Sequence, residues 1–252
     1  MKIATWNTNA WQRSKATEPK VWALLEHLKI DLAILTEARL PLPKVAADSG
    51  WRCVGEPMPG KSGWGTAVVV RGDLILEEVL EVKEHKLEKK YGSVTVADLL
   101  DRDANLLCTI IGLYIPFRKN HSQQFIESPE RDLRAMHKDF ECLTRSREHI
   151  LFAGDLNQLP SPRGLETFNL RDPWWADQYS VTTYEKPNRE QQRLDYIFLT
   201  DALYRHVTGK QGGWADFPDA RSISDHAPLV LELDFARDRT EKRCRCGVLL
   251  RL

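Results

Sequence analysis

Between Lys2 and Glu37 the chain passes through three patterns whose order restricts the fold more than any other stretch. Lys2-Ile3-Ala4-Thr5-Trp6-Asn7 is a short apolar run that ends on an amide. Val21, Leu24, Leu25 and Leu28 then recur at i, i+3, i+4 and i+7, the period of an amphipathic helix, with Pro19 tolerated in its first turn. Asp31-Leu32-Ala33-Ile34-Leu35-Thr36 is a second apolar run, and it delivers Glu37 to its C-terminal end. Strand, helix and strand in this order predict a right-handed crossover between parallel neighbours. Asn7 and Glu37 are then expected at one edge of one sheet, where α/β folds bind their ligands.

From residue 51 to 109 the pattern turns β-rich. Residues 51–54, 66–70, 74–79 and 94–99 are short runs separated by Gly, Pro and charged clusters, and they read as an antiparallel meander. Gly63-Trp64-Gly65 marks a tight turn or a bulge. Residues 83–90 alternate in charge and read as a solvated hairpin or loop. Residues 106–115 form a further buried strand that carries Tyr114 near its end. Ser128-Pro129-Glu130 starts a helix, with Ser as N-cap and Pro at N1, whose stripe of Leu133, Met136, Phe140 and Leu143 is expected in the core. Residues 149–154 run as a strand into Asp155-Leu156-Asn157. Extended alternation predicts Asp155 and Asn157 on one side and Leu156 on the other. Gly154 permits close approach of backbone or ligand.

Residues 159–187 are loop-rich. Residues 193–199 form the next strand, with Asp195 near its start, and residues 206–210 a short one. Ser224-Asp225-His226-Ala227-Pro228 leads into the apolar run 229–233. With no repeat or linker, one domain is expected over residues 1–236, followed by a flexible tail over 237–252.

The 252 residues carry 36 Lys plus Arg against 36 Asp plus Glu. A phosphate-bearing partner must then be attracted by a local patch or a metal, which argues against a general nucleic-acid coating role. No apolar run approaches the ~20 residues of a membrane helix, and no secretory apolar region opens the chain. Cys53, Cys108, Cys142, Cys244 and Cys246 lack the spacing of a disulfide framework, so reduced thiols in a cytoplasmic setting are expected. Cys244-Arg245-Cys246 is too tight for a metal knuckle and has no nearby His.

The polar residues at the strand ends are Asn7, Glu37, Tyr114, Asp155 with Asn157, Asp195, and Asp225 with His226. Each alone has a structural explanation, as a cap, a loop start or a wet core aromatic. Taken together, carboxylates, amides and an imidazole recurring at sheet edges argue for one site.

Thr5-Trp6-Asn7-Thr8-Asn9, Ile34-Leu35-Thr36-Glu37, Leu113-Tyr114-Ile115-Pro116, Ala153-Gly154-Asp155-Leu156-Asn157, Arg193-Leu194-Asp195-Tyr196-Ile197 and Ser224-Asp225-His226-Ala227-Pro228 follow one another in the chain. In this order they resemble the endonuclease/exonuclease/phosphatase superfamily, which includes exonuclease III-like and DNase I-like enzymes. The resemblance spans residue 5 to about residue 234. It implies an α/β (α+β) class fold, a four-layer sandwich of two packed mixed β-sheets flanked by helices. It also implies phosphoester hydrolysis dependent on Mg²⁺ or Mn²⁺.

By resemblance Glu37 is the principal metal ligand, Asn9 stands where members have a second acidic or amide ligand, and Asp225 reaches the metal directly or through water. A hard cation that keeps several waters needs only one or two protein carboxylates. Asp155 is implied to orient or deprotonate the attacking water, with His226 as the competing general base. Asn157, Asn7 and His226 are implied to hold phosphate oxygens. Asp195 is implied to accept from the His226 ring and raise its pKa, and Tyr114 to bond the phosphate or assist the leaving group.

The chain departs from the AP-endonuclease branch in two places. Phe117 stands where that branch carries Asn three residues after the tyrosine. Asp155 and Asp195 lie only 40 positions apart, so the DNA-holding loops between them are short. Trp174, Trp175, Tyr184 and Trp214 suit base stacking as well as ordinary packing. The expected function is a monomeric phosphodiesterase or nuclease acting on DNA or RNA. The alternatives are a phosphatase or phosphodiesterase on an inositol phosphate, sphingolipid or nucleotide, and a binding module that has lost catalysis.

Overall fold

The computed structural model describes residues 1–10, 12–57, 63–79, 93–115, 146–157, 170–177, 180–186, 188 and 190–236. Segment 83–90, Phe117, the helix expected from Ser128, Cys142, Cys244, Cys246 and residues 237–252 lie outside them.

In chain order the strands are β1 (Lys2–Asn7), β2 (Leu32–Arg39), β3 (Arg52–Pro57), β4 (Trp64–Val70), β5 (Ile75–Glu78), β6 (Ser93–Leu100) and β7 (Leu106–Tyr114). They continue as β8 (Ile150–Asp155), β9 (Leu170–Arg171), β10 (Tyr184–Glu185), β11 (Gln191–Gln192), β12 (Asp195–Thr200), β13 (Val207–Gly212) and β14 (Leu229–Leu233). One six-stranded sheet runs β13-β14-β1-β2-β4-β3 and the other β5-β6-β7-β8-β12-β9, while β10 and β11 form a separate small ribbon. Each large sheet has one parallel pair at its centre, β1 with β2 and β7 with β8, and antiparallel strands outside it. The crossover read from residues 2–37 is present: Asn7 pairs opposite Thr36, and helix α1 (Glu18–His27), with Pro in its first turn, joins the two strands.

Alternation along the strands builds three buried clusters. Ile3, Leu32, Ile34, Val68 and Val70 of the first sheet meet Leu99, Ile110, Leu151, Ala153, Ile197 and Leu199 of the second. The residues between them turn outward: Ala4, Trp6, Ala33, Leu35, Ala67 and Val69 pack with Val21, Trp22 and Leu25 of α1. On the second sheet Val94, Val96, Ile111, Leu113, Phe152, Tyr196 and Phe198 form a third buried cluster. Both faces of both sheets are therefore dry, the arrangement of an α/β sandwich. The sheets approach closely at Gly112, where an added Cβ would stand 3.0 Å from Thr66 Cγ2 and 3.1 Å from Ile34 Cγ2. Buried hydroxyls fasten the same place: Ser93 Oγ accepts from the Thr66 N–H at 2.8 Å, and Thr95 Oγ1 donates to the Thr66 carbonyl at 2.9 Å.

The expected meander divides. β3 and β4 belong to the first sheet and β5 and β6 to the second, with the turn at Arg71-Gly72-Asp73 carrying the chain across. Four β-rich runs in succession have the same periodicity whether or not they share a sheet, so sequence alone does not distinguish the two. Trp174 and Trp214, offered above as stacking residues, are core: they are 2% and 5% exposed and sit in the inter-sheet and helix-side clusters. Cys53 and Cys108 are free thiols. Among the described residues no helix is long and apolar enough to cross a membrane.

Gly154 enters the strand end of β8 at φ +144°, and a Cβ there would lie 1.9 Å from the Leu113 carbonyl oxygen. Gly154→Ala is expected to destabilise the fold by more than about 2 kcal/mol. Gly50→Ala, at φ +80° but with open space around it, should cost clearly less. Denaturant melts of the two variants check the difference.

Candidate active site

Register brings the strand-end residues together. Asn7 and Glu37 leave the central pair of the first sheet; Tyr114 stands opposite Asp155 in that of the second, and Asp195 stands opposite Asp155 on the other side. The backbone is bent where the side chains are needed. Asn9, Glu37 and Asn157 adopt left-handed φ values of 48°, 46° and 51°, an unfavourable state for residues with a Cβ and one that concentrates at functional sites. Glu37 lies in a break of register between Leu35 and Ala38, a bulge that re-aims its side chain. Asn157 rejoins Asp155 by such a turn, not by the extended alternation expected, while Leu156 goes into the core as predicted.

Asn7 links the two sheets. Its Nδ2 donates to Asp155 Oδ2 at 2.8 Å. Its Oδ1 accepts from the Asn9 N–H at 2.9 Å. Asp155 accepts further from the Asn157 N–H at 2.8 Å and from Asn157 Nδ2 at 3.1 Å, the latter group also donating to the Ile115 carbonyl at 2.8 Å. Asp195 Oδ2 lies 2.7 Å from His226 Nδ1, so Nδ1 carries the proton and Nε2 is the ring's other polar atom. Asn9 Nδ2 donates to Asp225 Oδ1 at 2.8 Å. Tyr184 is half-buried with its ring 4.8 Å from that of His226, while Trp175 is 40% exposed.

Burial sets the electrostatics. It raises the pKa of Asp155 above the ordinary carboxylate range, aided by Asp195 and opposed by the charge of His226. It raises Glu37 too, against hydrogen bonds from Tyr114 and Asn7. Burial and the nearby charges of Glu37 and Asp155 raise Tyr114, which stays a phenol and can donate. For His226 burial pulls downward, but the charge and hydrogen bond of Asp195, with Asp155 and Asp225, prevail and push it up to about 10. The ring is a cation at neutral pH.

Two groups of side chains offer themselves to a metal. Asp155, Asp195 and His226 place ligand atoms within 4.8 Å of one another. All three are buried, the imidazole is cationic and hydrogen-bonded, and Asp155 already accepts three hydrogen bonds, so this group is a poor host for a cation that keeps its waters. Glu37, Asn9 and Asp225 are the hard-oxygen donors that the resemblance implies. Asn9 Oδ1 is buried with no hydrogen-bond partner, while the Nδ2 of the same amide donates to Asp225.

Sequence reading missed the supports of this site. Trp6 Nε1 donates to the His226 carbonyl at 2.7 Å, and Ser224 Oγ donates to the Asn7 carbonyl at 2.8 Å while accepting from the His226 N–H at 3.1 Å. Both residues lie inside the recognised segments, which was their one available signal. Buried Glu18 binds Arg13 at 2.6 Å and Arg39 at 2.9 Å, and Arg13 also donates to the Thr8 carbonyl, which clamps the loop that carries Asn9. Nothing in the spacing of these three residues announces the pairing.

A family model described as the Endonuclease/Exonuclease/phosphatase family matches residues 4–226. No curated protein matches the chain. Among solved structures, the 3′ phosphatase NExo from Neisseria bound to a product DNA hairpin superposes with TM-score 0.65 at 19% identity, over 93% of this chain and 100% of that one. TDP2 of D. rerio complexed with single strand DNA product gives 0.62 at 15% identity, over 92% and 97%. An AP endonuclease from Archaeoglobus fulgidus gives 0.62 at 18% identity, over 93% and 99%.

A histidine whose pKa is raised by folding adds stability that is complete below its ordinary value of 6.5 and is lost as pH rises through about 10. The melting-temperature advantage of the wild type over Asp195→Asn should therefore be greatest below pH 6.5 and shrink toward pH 10. Calorimetry of both proteins across that range checks the sign.

Proposed function

The chain belongs to the endonuclease/exonuclease/phosphatase family, and on that premise we propose that it is a divalent-metal-dependent phosphodiesterase that cleaves nucleic acid, DNA or RNA, by attack of water on phosphorus. The observation that carries this reading is the buried, unpartnered Oδ1 of Asn9 beside Asp225, on the loop next to Glu37 and across from the Asp155 cluster. An unpartnered hard oxygen of this kind supports a cation site. Two of the structures with this fold hold DNA product, which supports nucleic acid as the substrate class.

Glu37, Asn9 and Asp225 would hold the metal, which when bound polarises the phosphoryl group and steadies the leaving oxygen. Asp155 takes the proton of the attacking water. Its burial makes it a stronger base than an exposed carboxylate, and Asn7 and Asn157 fix the direction of its oxygens. The cationic ring of His226 donates to a non-bridging phosphate oxygen as negative charge gathers there, so it acts as donor and leaves the base role to Asp155. Tyr114, held protonated, orients Glu37.

Purified protein should cleave a labelled oligonucleotide in Mg²⁺ or Mn²⁺ and stop in excess EDTA. Glu37→Ala should weaken metal binding in calorimetric titration, and His226→Ala should lower kcat about 10²-fold through loss of one transition-state donor. Cleavage that persists in EDTA would remove the metal from the scheme. Turnover of an inositol phosphate with no oligonucleotide cut would replace the nucleic-acid substrate by a small phosphoester.

A further inference from the structure

Thr183 belongs to none of the recognised segments, yet it is completely buried and hydrogen-bonds the segments that carry Asp195 and His226. Its Oγ1 accepts from the backbone N–H groups of Leu194 at 3.0 Å and Asp195 at 3.1 Å. Its carbonyl accepts from the Ala227 N–H at 2.6 Å, and its own N–H donates to the Gln192 carbonyl at 2.9 Å. The next residues continue the seam: Tyr184 bridges His226 in antiparallel fashion, and the Glu185 N–H donates to the Asp225 carbonyl at 3.1 Å. One threonine therefore holds the backbone on both sides of the 2.7 Å bond between Asp195 and His226.

The backbone matters here for a particular reason. Asp195 Oδ1 is buried and has no hydrogen-bond partner, so no second side chain aims this carboxylate. Apart from His226 itself, the position of the Asp195 main chain decides where Oδ2 lies. His226 is fastened independently, by Ser224 Oγ at its N–H and Trp6 at its carbonyl. The less constrained partner is Asp195, and the Thr183 hydroxyl is the side-chain group that grips its N–H.

Resting on the phosphodiesterase reading above, we propose that Thr183 is a positioning residue that aligns Asp195 with His226 through the two lone pairs of its hydroxyl. A valine has the same shape and neither lone pair; a serine keeps both. Thr183→Val should lower kcat about tenfold with KM unchanged, because a small misalignment at the imidazole is felt in the transition state more than in binding. Thr183→Ser should stay within about twofold of the wild type. In an Asp195→Asn background Thr183→Val should add almost nothing, since both changes break one unit.

A second readout needs no turnover. The hydrogen-bonded Nδ1 proton of His226 should give a low-field resonance in wild-type and Thr183→Ser protein that is lost or moved upfield in Thr183→Val. A wild-type protein inactive on every phosphoester would overturn the phosphodiesterase reading, and the resonance alone would then decide the role of Thr183. Three results would overturn the positioning role: an unchanged resonance in Thr183→Val, equal losses in the Val and Ser variants, or full additivity with Asp195→Asn. If the valine protein does not fold, Thr183→Cys, a weaker acceptor at the same point, takes its place in each measurement.

Discussion

The side chain of Asn7 is the joint on which the site depends. Its amide, on the first sheet, donates to Asp155 on the second, while its oxygen fixes the Asn9 backbone. A neutral donor supports the buried carboxyl without adding a charge that would compete with a metal. Hydrogen bonds to charged groups contribute roughly 1.5–3 kcal/mol each, enough to hold the two sheet edges in alignment. The interdigitated core below, with its close approach at Gly112, then makes the alignment rigid.

The two halves of the site differ in how they treat charge. On the histidine side, Asp155, His226 and Asp195 form a buried group in which Nδ1 of the ring is tied to Asp195 and Nε2 is left for a ligand. On the other side Asn9, Asp225 and Glu37 leave an oxygen without a partner. Left-handed backbone at Asn9, Glu37 and Asn157 is the strain that this division requires, and the sheets on which these residues stand are stiff enough to sustain it.

Much of this was legible in the sequence because strand-end chemistry is local. The crossover from Lys2 to Glu37 and the placing of Tyr114 and Asp155 follow from a polar residue at a fixed distance from an apolar run, whereas the pairing of Asp195 with His226 was implied only by the family resemblance. Sheet membership was not legible. The four runs from Trp51 to Leu100 alternate alike, and only their non-local partners divide them between two sheets. Trp174 and Trp214 were equally opaque, since an indole in a loop-rich stretch has the same composition whether it stacks on a ligand or fills a core. The supports formed by Trp6, Ser224, Thr183 and Glu18 depend on contacts between distant segments, and no periodicity encodes those.

The pairing of β1 with β14 joins residues 2–5 to residues 229–232, and the N-terminal amine reaches the Leu233 carbonyl at 2.8 Å. Ser224 meets Asn7 across 217 positions. During synthesis the first strand therefore waits for β14 before it gains one of its two neighbours, because contacts of such long range form only after the intervening loop closes. A nascent chain that stops short of Ser224 lacks Asp225 and His226 together, so neither the contact of Asn9 with Asp225 nor the pair of Asp195 with His226 exists until that segment has been made.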